Sequence, residues 1–287
     1  MPEYSTLIDV AELAELLHSP DAPLLFDCRF DLADPHSGAA AYAEGHLPGA
    51  QYLHLDADLS GIKTGCNGRH PLPDADTLTQ RLQQLGLRQD QQVVVYDAQG
   101  GMFAARAWWL LRWLGHQAVA VLDGGIAAWQ AAGHDLQVDV NLVRAGDFTR
   151  GAARVGTVER AELLASVQGT GALMIVDARA ADRFRGENET LDARGGHIPG
   201  ARNRFFRDNL NEHGRFKPAH ELREAFQALL GEIPASQSVQ QCGSGVTACH
   251  NLLALEVAEL KGARLYPGSW SEWSSDPHAP IALGEPS

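Results

Sequence analysis

Cysteine, positive charge and long apolar runs are all scarce in this chain. Only four of its 287 residues are cysteines and none forms a Cys-x-x-Cys pair, which excludes a disulfide-stapled scaffold and favours a reducing compartment. Lys and Arg total 23 against 36 Asp and Glu, and the net charge of −13 argues against a nucleic acid or an anionic membrane as the partner. No run of 18 apolar residues occurs, and the N-terminus carries no export signal. We therefore expect a cytoplasmic chain that does not span a membrane.

Motifs for metals and nucleotides are also missing. The 12 His and four Cys residues form no His-x-x-x-His, Cys-x-x-Cys or Cys-x-x-His pair that would collect metal ligands in one place. No glycine-rich dinucleotide fingerprint and no Walker loop follows an apolar run. The sequence therefore predicts neither a metal ion nor any other cofactor.

Three sequence patterns occur twice, in the same order along the chain. They are a Gly-His-(Leu/Ile)-Pro-Gly-Ala motif, an apolar run that ends in Asp-x-Arg, and a glycine turn followed by Trp. The paired occurrences are residues 45–50 and 196–201, 24–29 and 174–179, and 123–129 and 267–273. Such a repeat indicates two copies of one domain. Because His46 and His197 occur in both copies, we interpret them as residues that stabilise a turn.

Within each copy, short apolar runs alternate with helical periods. This alternation predicts an α/β fold, in which each domain has a mostly parallel sheet with crossover helices on both faces. The predicted strands are 24–27, 93–97, 173–177 and 238–241. The predicted helices are 9–17, 74–85, 101–114, one opened by Thr157, 218–230 and 246–260. We place the two domains at residues 1–140 and 155–287, joined by a polar linker at 141–155.

The chemistry is concentrated after the last predicted strand, where residues 242–248 read Cys-Gly-Ser-Gly-Val-Thr-Ala. A tight turn at a helix start directs several N–H groups and the positive end of the helix dipole at whatever occupies the turn. A thiolate at Cys242 would be stabilised there, so Cys242 is the candidate nucleophile. Gly243 and Gly245 are expected to supply unusual backbone angles. The alternative is a buried structural cysteine. We interpret the other three cysteines as structural or incidental.

Single residues argue against two other nucleophilic loops. A cysteine phosphatase needs an arginine six positions after the cysteine to clamp the phosphate, and that position is Ala248. A serine hydrolase elbow needs glycine two residues before and two residues after its serine. Ser244 is flanked at those positions by Cys242 and Val246.

The loop 242–248, the paired Gly-His motifs and the closing segment 266–273 resemble the tandem-domain rhodanese superfamily, and within it the 3-mercaptopyruvate sulfurtransferase type. The resemblance covers nearly the whole chain. It implies a non-catalytic N-terminal rhodanese-like domain (1–140) and a catalytic C-terminal one (155–287). The first copy agrees, because residues 96–101 follow the equivalent strand without a cysteine. The implied reaction moves a sulfane sulfur through a persulfide on the catalytic cysteine to a thiol or cyanide, and releases pyruvate.

The same resemblance indicates the surroundings of the thiolate. Rhodaneses that use thiosulfate carry basic residues after the cysteine, whereas Gly243 and Ser244 are uncharged, which favours 3-mercaptopyruvate as the donor. An Asp-His-Ser arrangement assigned in some family members matches Asp58, His70 and Ser244, across a cleft between the domains. A surface His and a solvated Asp are the alternative. The loop residues expected to contact the substrate are Gly243, Gly245, Val246 and Thr247.

The family holds the donor's carboxylate with arginines, and the first of these matches Arg183. The second family position is occupied by Asp192, a departure from the pattern, so we expect the nearby Arg194 to substitute. Arg179 is interpreted instead as an ion-pair partner of Asp177.

Two alternatives to this function remain open. One is a thiosulfate:cyanide sulfurtransferase with a neutral loop, and the other is a non-catalytic sulfur carrier or interaction module. As partners we expect a small-molecule sulfur donor and an acceptor that is a thiol, a thioredoxin-like protein or cyanide, with no nucleic acid and no membrane. We expect a monomer in which Cys242 lies near solvent, where an acceptor can reach it.

Overall fold

The computed structural model describes residues 3–139, 141–169 and 173–285, which fall into two compact units. Unit 1 comprises Met1–Gly61, Pro73–Arg154 and Glu212–Phe216. Unit 2 comprises Ile62–Leu72, Val155–Asn211 and Lys217–Ser287. Each unit therefore includes one short segment from the other sequence repeat, which the predicted domain limits of 1–140 and 155–287 did not anticipate.

Unit 1 contains a five-stranded sheet in which all paired strands are parallel, in the order β1-β5-β4-β2-β3. The strands are β1 (Leu7–Ile8), β2 (Leu24–Asp27), β3 (Gln51–Tyr52), β4 (Val93–Tyr96) and β5 (Val119–Leu122). The helices are α1 (Val10–Leu17), α2 (Ser37–Glu44), α3 (Ala75–Gln84), α4 (Ala104–Trp113) and α5 (Gly125–Ala131).

Unit 2 repeats this topology, with five parallel strands in the order β6-β10-β9-β7-β8. The strands are β6 (Gly156–Thr157), β7 (Met174–Asp177), β8 (Arg202–Asn203), β9 (Ser238–Gln241) and β10 (Arg264–Leu265). The helices are α6 (Arg160–Val167), α7 (Ala181–Arg185), α8 (Ala219–Leu230), α9 (Ala248–Val257) and α10 (Ser269–Trp273), with 3-10 turns at Phe206–Asn209 and Ala235–Gln237. The prediction of two copies of one parallel α/β domain is confirmed.

Helices cover both faces of the sheet in unit 2. Ile175 of β7 packs in one apolar cluster with Trp270 of α10. Its neighbours Met174 and Val176 pack in another cluster with Leu230 of α8. Because successive side chains of a strand point to opposite faces, the two clusters lie on opposite sides of the sheet. This double burial explains why β7 begins with the continuous apolar run Met174–Val176.

One predicted helix start is wrong. Thr157 does not open a helix but lies in β6, where it pairs with Leu265 of β10. The helix begins three residues later at Arg160, after Glu159. A β-branched Thr suits this pleated edge position. The other predicted helices and strands are present, most with ends shifted by one to three residues.

The segment predicted as a linker, residues 141–155, contains neither helix nor strand but is held against unit 1 over most of its length. The N–H of Gly146 donates to the Gln83 carbonyl at 2.8 Å, and that of Arg154 donates to the Arg112 carbonyl at 3.0 Å. Phe148 is fully buried. The segment therefore packs along unit 1 and is held there by backbone hydrogen bonds.

Candidate active site

The candidate nucleophile follows directly after a buried strand. All four residues of β9 are buried, Cys242 comes next, and α9 begins at Ala248. Cys242 is only 2% exposed, so the expectation that it lies near solvent is wrong. A second segment, 269–271, holds its backbone: the Cys242 N–H donates to Ser269 Oγ at 3.2 Å, and its carbonyl accepts from the Trp270 N–H at 3.0 Å.

Backbone donors surround the sulfur of Cys242. The N–H groups of Ser244 and Gly245 point at Sγ, with nitrogen–sulfur distances of 3.5 and 3.2 Å. Gly245 has φ +78°, and a Cβ there would overlap the carbonyl oxygen of Pro267, so only glycine fits. With the start of α9 behind it, this turn is an anion-stabilising cradle.

The other predicted loop residues have separate roles. Gly243 does not have a positive φ, so the expectation of an unusual angle is wrong there. Gly243 instead lets the Arg69 guanidinium approach the loop closely, because a Cβ on Gly243 would lie 2.8 Å from Nη2 of Arg69 and would displace that side chain. Val246 and Thr247 form the turn into α9, where their carbonyls accept from Cys249 and His250 at 3.1 Å.

Ser269 is a site residue that the sequence reading missed. It is fully buried and has φ +54°, a left-handed conformation that is uncommon for a residue with a side chain. Its hydroxyl accepts from the Cys242 N–H and donates to the Tyr266 carbonyl. A residue held in this conformation beside a nucleophile indicates a position fixed by function. The repeated glycine turn followed by Trp was the available signal.

Ser244 and His70 lie together in unit 2, although 174 residues separate them in the chain. Ser244 Oγ and His70 Nδ1 are 2.7 Å apart, and both residues are buried. The carboxylate of Asp58 lies in unit 1, where it accepts from Arg81 Nε and from the His54 N–H, both at 2.8 Å. The predicted contact of Asp58 with His70 stays a prediction.

Two arginine–carboxylate pairs adjoin the loop. Nη2 of Arg183 donates to both oxygens of Glu189, at 2.8 and 2.9 Å. Burial alone would raise the pKa of the Glu189 carboxyl, but the N–H of Leu191 and the Arg183 guanidinium outweigh it and lower that pKa. The second pair joins Nη1 of Arg69 to Oδ1 of Asp192. Arg69 was not among the predicted site residues.

Arg194 lies elsewhere in unit 2. Its Nε donates to the Ser274 carbonyl at 2.9 Å, and its terminal nitrogens donate to the carbonyls of Asp276, Pro277 and Ala279. These contacts fix the chain after α10. The structure therefore does not bring Arg194 to Cys242, where it was expected to replace the second family arginine.

Several residues that the sequence analysis interpreted as structural have structural contacts. Arg179 Nη2 donates to Asp177 Oδ2 at 2.6 Å, which confirms the predicted ion pair. His46 and His197 stack on Tyr42 and Phe184, and the Nδ1 atom of each is within hydrogen-bond distance of a backbone carbonyl. Both histidines therefore stabilise turns, as predicted.

The other three cysteines are also free thiols. Cys28 and Cys249 are buried, and Cys66 is exposed. Burial raises the pKa of the Cys28 thiol well above its usual value, which makes that thiol a poor nucleophile.

The equivalent loop of unit 1 has a carboxylate in place of the thiol. Asp97 follows β4 as Cys242 follows β9, and it is fully buried. Its Oδ1 accepts from the N–H groups of Gln99 and Gly101, and its Oδ2 accepts from those of Phe103 and Ala104, all at 2.8 to 2.9 Å. The N–H cradle is thus present in both units, but in unit 1 the protein's own anion occupies it.

Comparisons with known proteins agree over most of the chain. A model of the rhodanese-like domain matches residues 9–132 and 159–276. A probable 3-mercaptopyruvate sulfurtransferase of Pseudomonas aeruginosa is 50% identical over 281 residues, 97% of this chain and 98% of the relative. A putative thiosulfate sulfurtransferase, SseB of Mycobacterium tuberculosis, is 39% identical over 281 residues, 97% of each chain. The crystal structure of SseA from Escherichia coli, a 3-mercaptopyruvate sulfotransferase, superposes with a TM-score of 0.80 at 32% identity, covering 94% of this chain and 100% of that one.

Two features are absent from the described residues. No helix there combines the length and apolar character that crossing a bilayer requires. Nor does that part of the chain group three or more His, Cys, Asp or Glu side chains so that they could hold a metal ion.

Proposed function

This chain belongs to the rhodanese family and is a sulfurtransferase, and we propose that it takes sulfur from 3-mercaptopyruvate through a persulfide on Cys242. One observation carries the proposal: the Cys242 sulfur lies at a strand end with the N–H groups of Ser244 and Gly245 directed at it. That arrangement stabilises an anionic sulfur, either the attacking thiolate or the persulfide that follows.

The reaction balances without a cofactor. The Cys242 thiolate attacks the donor's sulfur, a sulfur–sulfur bond forms, and the bond between that sulfur and C3 of the donor breaks. Its electron pair stays on the departing three-carbon unit as the enolate of pyruvate, which then takes a proton at C3. A thiol acceptor or cyanide removes the outer sulfur and regenerates the thiolate.

The neutral residues after the nucleophile support 3-mercaptopyruvate over thiosulfate. Gly243 and Ser244 carry no charge, and Arg183 at the edge of the loop is neutralised by Glu189. A thiosulfate dianion would find no uncompensated positive charge here. Hydroxyl and N–H donors in the loop can instead stabilise, through hydrogen bonds, a carbonyl oxygen that becomes an enolate. In this assignment the Arg183 guanidinium binds the donor's carboxylate, and the N–H groups of Gly243, Val246 and Thr247 contribute donors.

The Ser244–His70 pair is assigned the proton chemistry at the departing enolate. The Ser244 hydroxyl hydrogen-bonds the developing enolate oxygen, and His70 exchanges a proton with that hydroxyl. Unit 1 is proposed to be non-catalytic, because a carboxylate fills its cradle.

Replacing Ser244 by Ala is expected to lower kcat for 3-mercaptopyruvate about 10- to 100-fold, because one hydroxyl donor and its coupled proton path are lost. His70→Asn should lower kcat similarly, and the double variant should lose little more, since the two side chains act as one unit. Steady-state pyruvate release measures all three. If the two single losses multiplied in the double variant, the residues would act independently.

The donor is tested by single-turnover mass spectrometry of the reduced protein. With 3-mercaptopyruvate we expect a gain of one sulfur atom, mapped by proteolysis to the peptide that contains Cys242, and a much slower gain with thiosulfate. A gain from thiosulfate alone would overturn the donor and keep the nucleophile. No gain from either donor would overturn the enzymatic assignment and favour a binding module.

The second candidate donor is thiosulfate, favoured by the name of the Mycobacterium tuberculosis relative. The ratio of kcat/KM for the two donors decides between them. We further propose a cytoplasmic monomer whose acceptor is a small thiol, a thioredoxin-like protein or cyanide, in line with the four free cysteines.

A further inference from the structure

We propose that Arg69 is a second substrate-binding residue, which together with Arg183 holds the donor's carboxylate above Gly243. This assignment rests on the proposed function, because it names the residue that selects the donor at that same site.

Two guanidinium groups converge on the backbone of the loop. A Cβ built on Gly243 would lie 2.8 Å from Nη2 of Arg69, and 3.6 and 3.8 Å from Nη1 and Nη2 of Arg183. Because Gly243 directly follows Cys242, an anion held between the two groups lies beside the nucleophile. Guanidinium groups bind carboxylates through paired, charge-assisted hydrogen bonds. The two guanidinium groups themselves lie over Gly243, so a carboxylate that bridges them is held close to the loop, with the donor's sulfur directed at Cys242.

The backbone at Arg69 is tied to the segment that also holds the loop. The Arg69 N–H donates to Ser271 Oγ at 3.0 Å, and the Ser271 N–H donates to the Gly243 carbonyl at 2.9 Å. Gly68 has φ +86° and lies close against Gly268, since a Cβ on it would be 2.7 Å from the Gly268 carbonyl oxygen. Arg69 thus has a fixed position relative to the nucleophile, as a substrate-binding residue requires.

The arginines also have hydrogen-bonding capacity to offer. Nε of Arg183 is buried and makes no hydrogen bond within the described residues. Buried guanidinium nitrogens are normally hydrogen-bonded, so this donor is suited to a substrate oxygen. Asp192 takes Nη1 of Arg69, while Nη2 is the atom closest to Gly243.

The charges around this position explain the choice of donor. Arg69 pairs with Asp192 and Arg183 pairs with Glu189, so the four side chains sum to zero charge. A neutral cluster with directed donors favours a carboxylate monoanion over a dianion such as thiosulfate. The family pattern has an arginine at position 192. This chain has Asp192 there, and its carboxylate orients Arg69.

The main test compares 3-mercaptopyruvate with 1-mercaptopropan-2-one, which has the same reacting atoms and no carboxylate. Arg69→Gln is expected to lower kcat/KM for 3-mercaptopyruvate about 10- to 100-fold, mainly by raising KM. The kcat/KM for 1-mercaptopropan-2-one should change less than about twofold. Arg185→Gln is the matched control, because Arg185, the last residue of α7, is ion-paired to the exposed Glu187. It should leave both donors unchanged.

A merely structural ion pair predicts a different pattern. If Arg69 only anchored Asp192, then Asp192→Asn and Arg69→Gln would cause equal losses with both donors. With Arg69 as a ligand, Asp192→Asn raises kcat/KM for thiosulfate about 3- to 10-fold, because it removes the negative charge that offsets Arg69. It lowers kcat/KM for 3-mercaptopyruvate less than Arg69→Gln does, because the guanidinium is less well oriented but still present. If Arg69→Gln does not fold, Arg69→Lys replaces it, with an expected loss of about 3- to 10-fold for 3-mercaptopyruvate alone.

An error in the proposed donor and an error in the proposed role of Arg69 give different experimental results. If the wild type turns over 3-mercaptopyruvate but Arg69→Gln does so equally well, the assignment of Arg69 is overturned and the proposed function stands. If the wild type does not use 3-mercaptopyruvate, the donor is wrong. Pyruvate binding, followed by NMR titration of the wild type and Arg69→Gln, then decides on Arg69: about 10-fold weaker binding by the variant supports it, and equal binding overturns it.

Discussion

Cys242→Ser is expected to abolish sulfur transfer, lowering kcat for 3-mercaptopyruvate at least about 10⁴-fold. A serine hydroxyl is not ionised at neutral pH and does not form a stable bond to a sulfane sulfur. The persulfide intermediate therefore cannot form, and the reaction stops. The unfolding free energy should change by no more than about 1 kcal/mol, because a hydroxyl oxygen can accept from the N–H groups of Ser244 and Gly245. Pyruvate release and urea unfolding measure the two quantities.

Cys66→Ser is the matched control for that variant. Cys66 is an exposed free thiol in unit 2 and therefore the cysteine most open to reagents. Its replacement should leave kcat within about twofold, since exposure without a donor cradle does not make a nucleophile. Comparable losses in the two variants, or more than about one per cent of wild-type activity in Cys242→Ser, would contradict the assignment of Cys242.

The central part of the fold could be predicted because it repeats. Most of the residues in β2, β4 and β7 are apolar, and two sequence copies had to adopt one topology, which the identical strand orders confirm. β9 reads Ser-Val-Gln-Gln, and its position before the loop 242–248 identified it. The two-residue strands β1, β3, β6, β8 and β10 could not be predicted, because two residues show no periodicity. β5 is different: Val119–Leu122 is a buried four-residue apolar run that the sequence reading overlooked.

The site was only partly predictable, for a physical reason. The residues of the loop are contiguous, so strand, turn and helix start fixed the surroundings of Cys242. The arginines depend on tertiary placement. Arg194 is close to Asp192 in sequence but binds carbonyls after α10, whereas Arg69 comes from Ile62–Leu72, a segment of the first repeat that belongs to unit 2. Proximity in sequence therefore favoured an arginine whose guanidinium binds backbone carbonyls, whereas the second arginine that we propose is distant in sequence.

The carboxylate of Asp97 occupies in the unit 1 loop the position that the thiol of Cys242 occupies in the unit 2 loop. Both loops form N–H cradles after a central strand, and a cradle of buried donors requires an acceptor. In unit 2 the acceptor is the reactive sulfur of Cys242, which makes only two such contacts. In unit 1 the acceptor is the Asp97 carboxylate, which accepts four N–H hydrogen bonds. A carboxylate cannot carry a sulfane sulfur. The first unit thus gains a rigid turn at the position where the second keeps a nucleophile.

Asp97→Ala is therefore expected to lower the unfolding free energy of unit 1 by about 3–5 kcal/mol, because four buried N–H groups lose their acceptor and water satisfies only some of them. Asp97→Asn should lose less, since one oxygen remains. Asp90→Ala, an exposed position in the same unit, is the control and should stay within about 0.5 kcal/mol of wild type. Because two units need not unfold together, hydrogen exchange of the peptides around residues 98–104 should be followed beside urea unfolding. Wild-type protection of those peptides in Asp97→Ala would show that the carboxylate does not hold the turn.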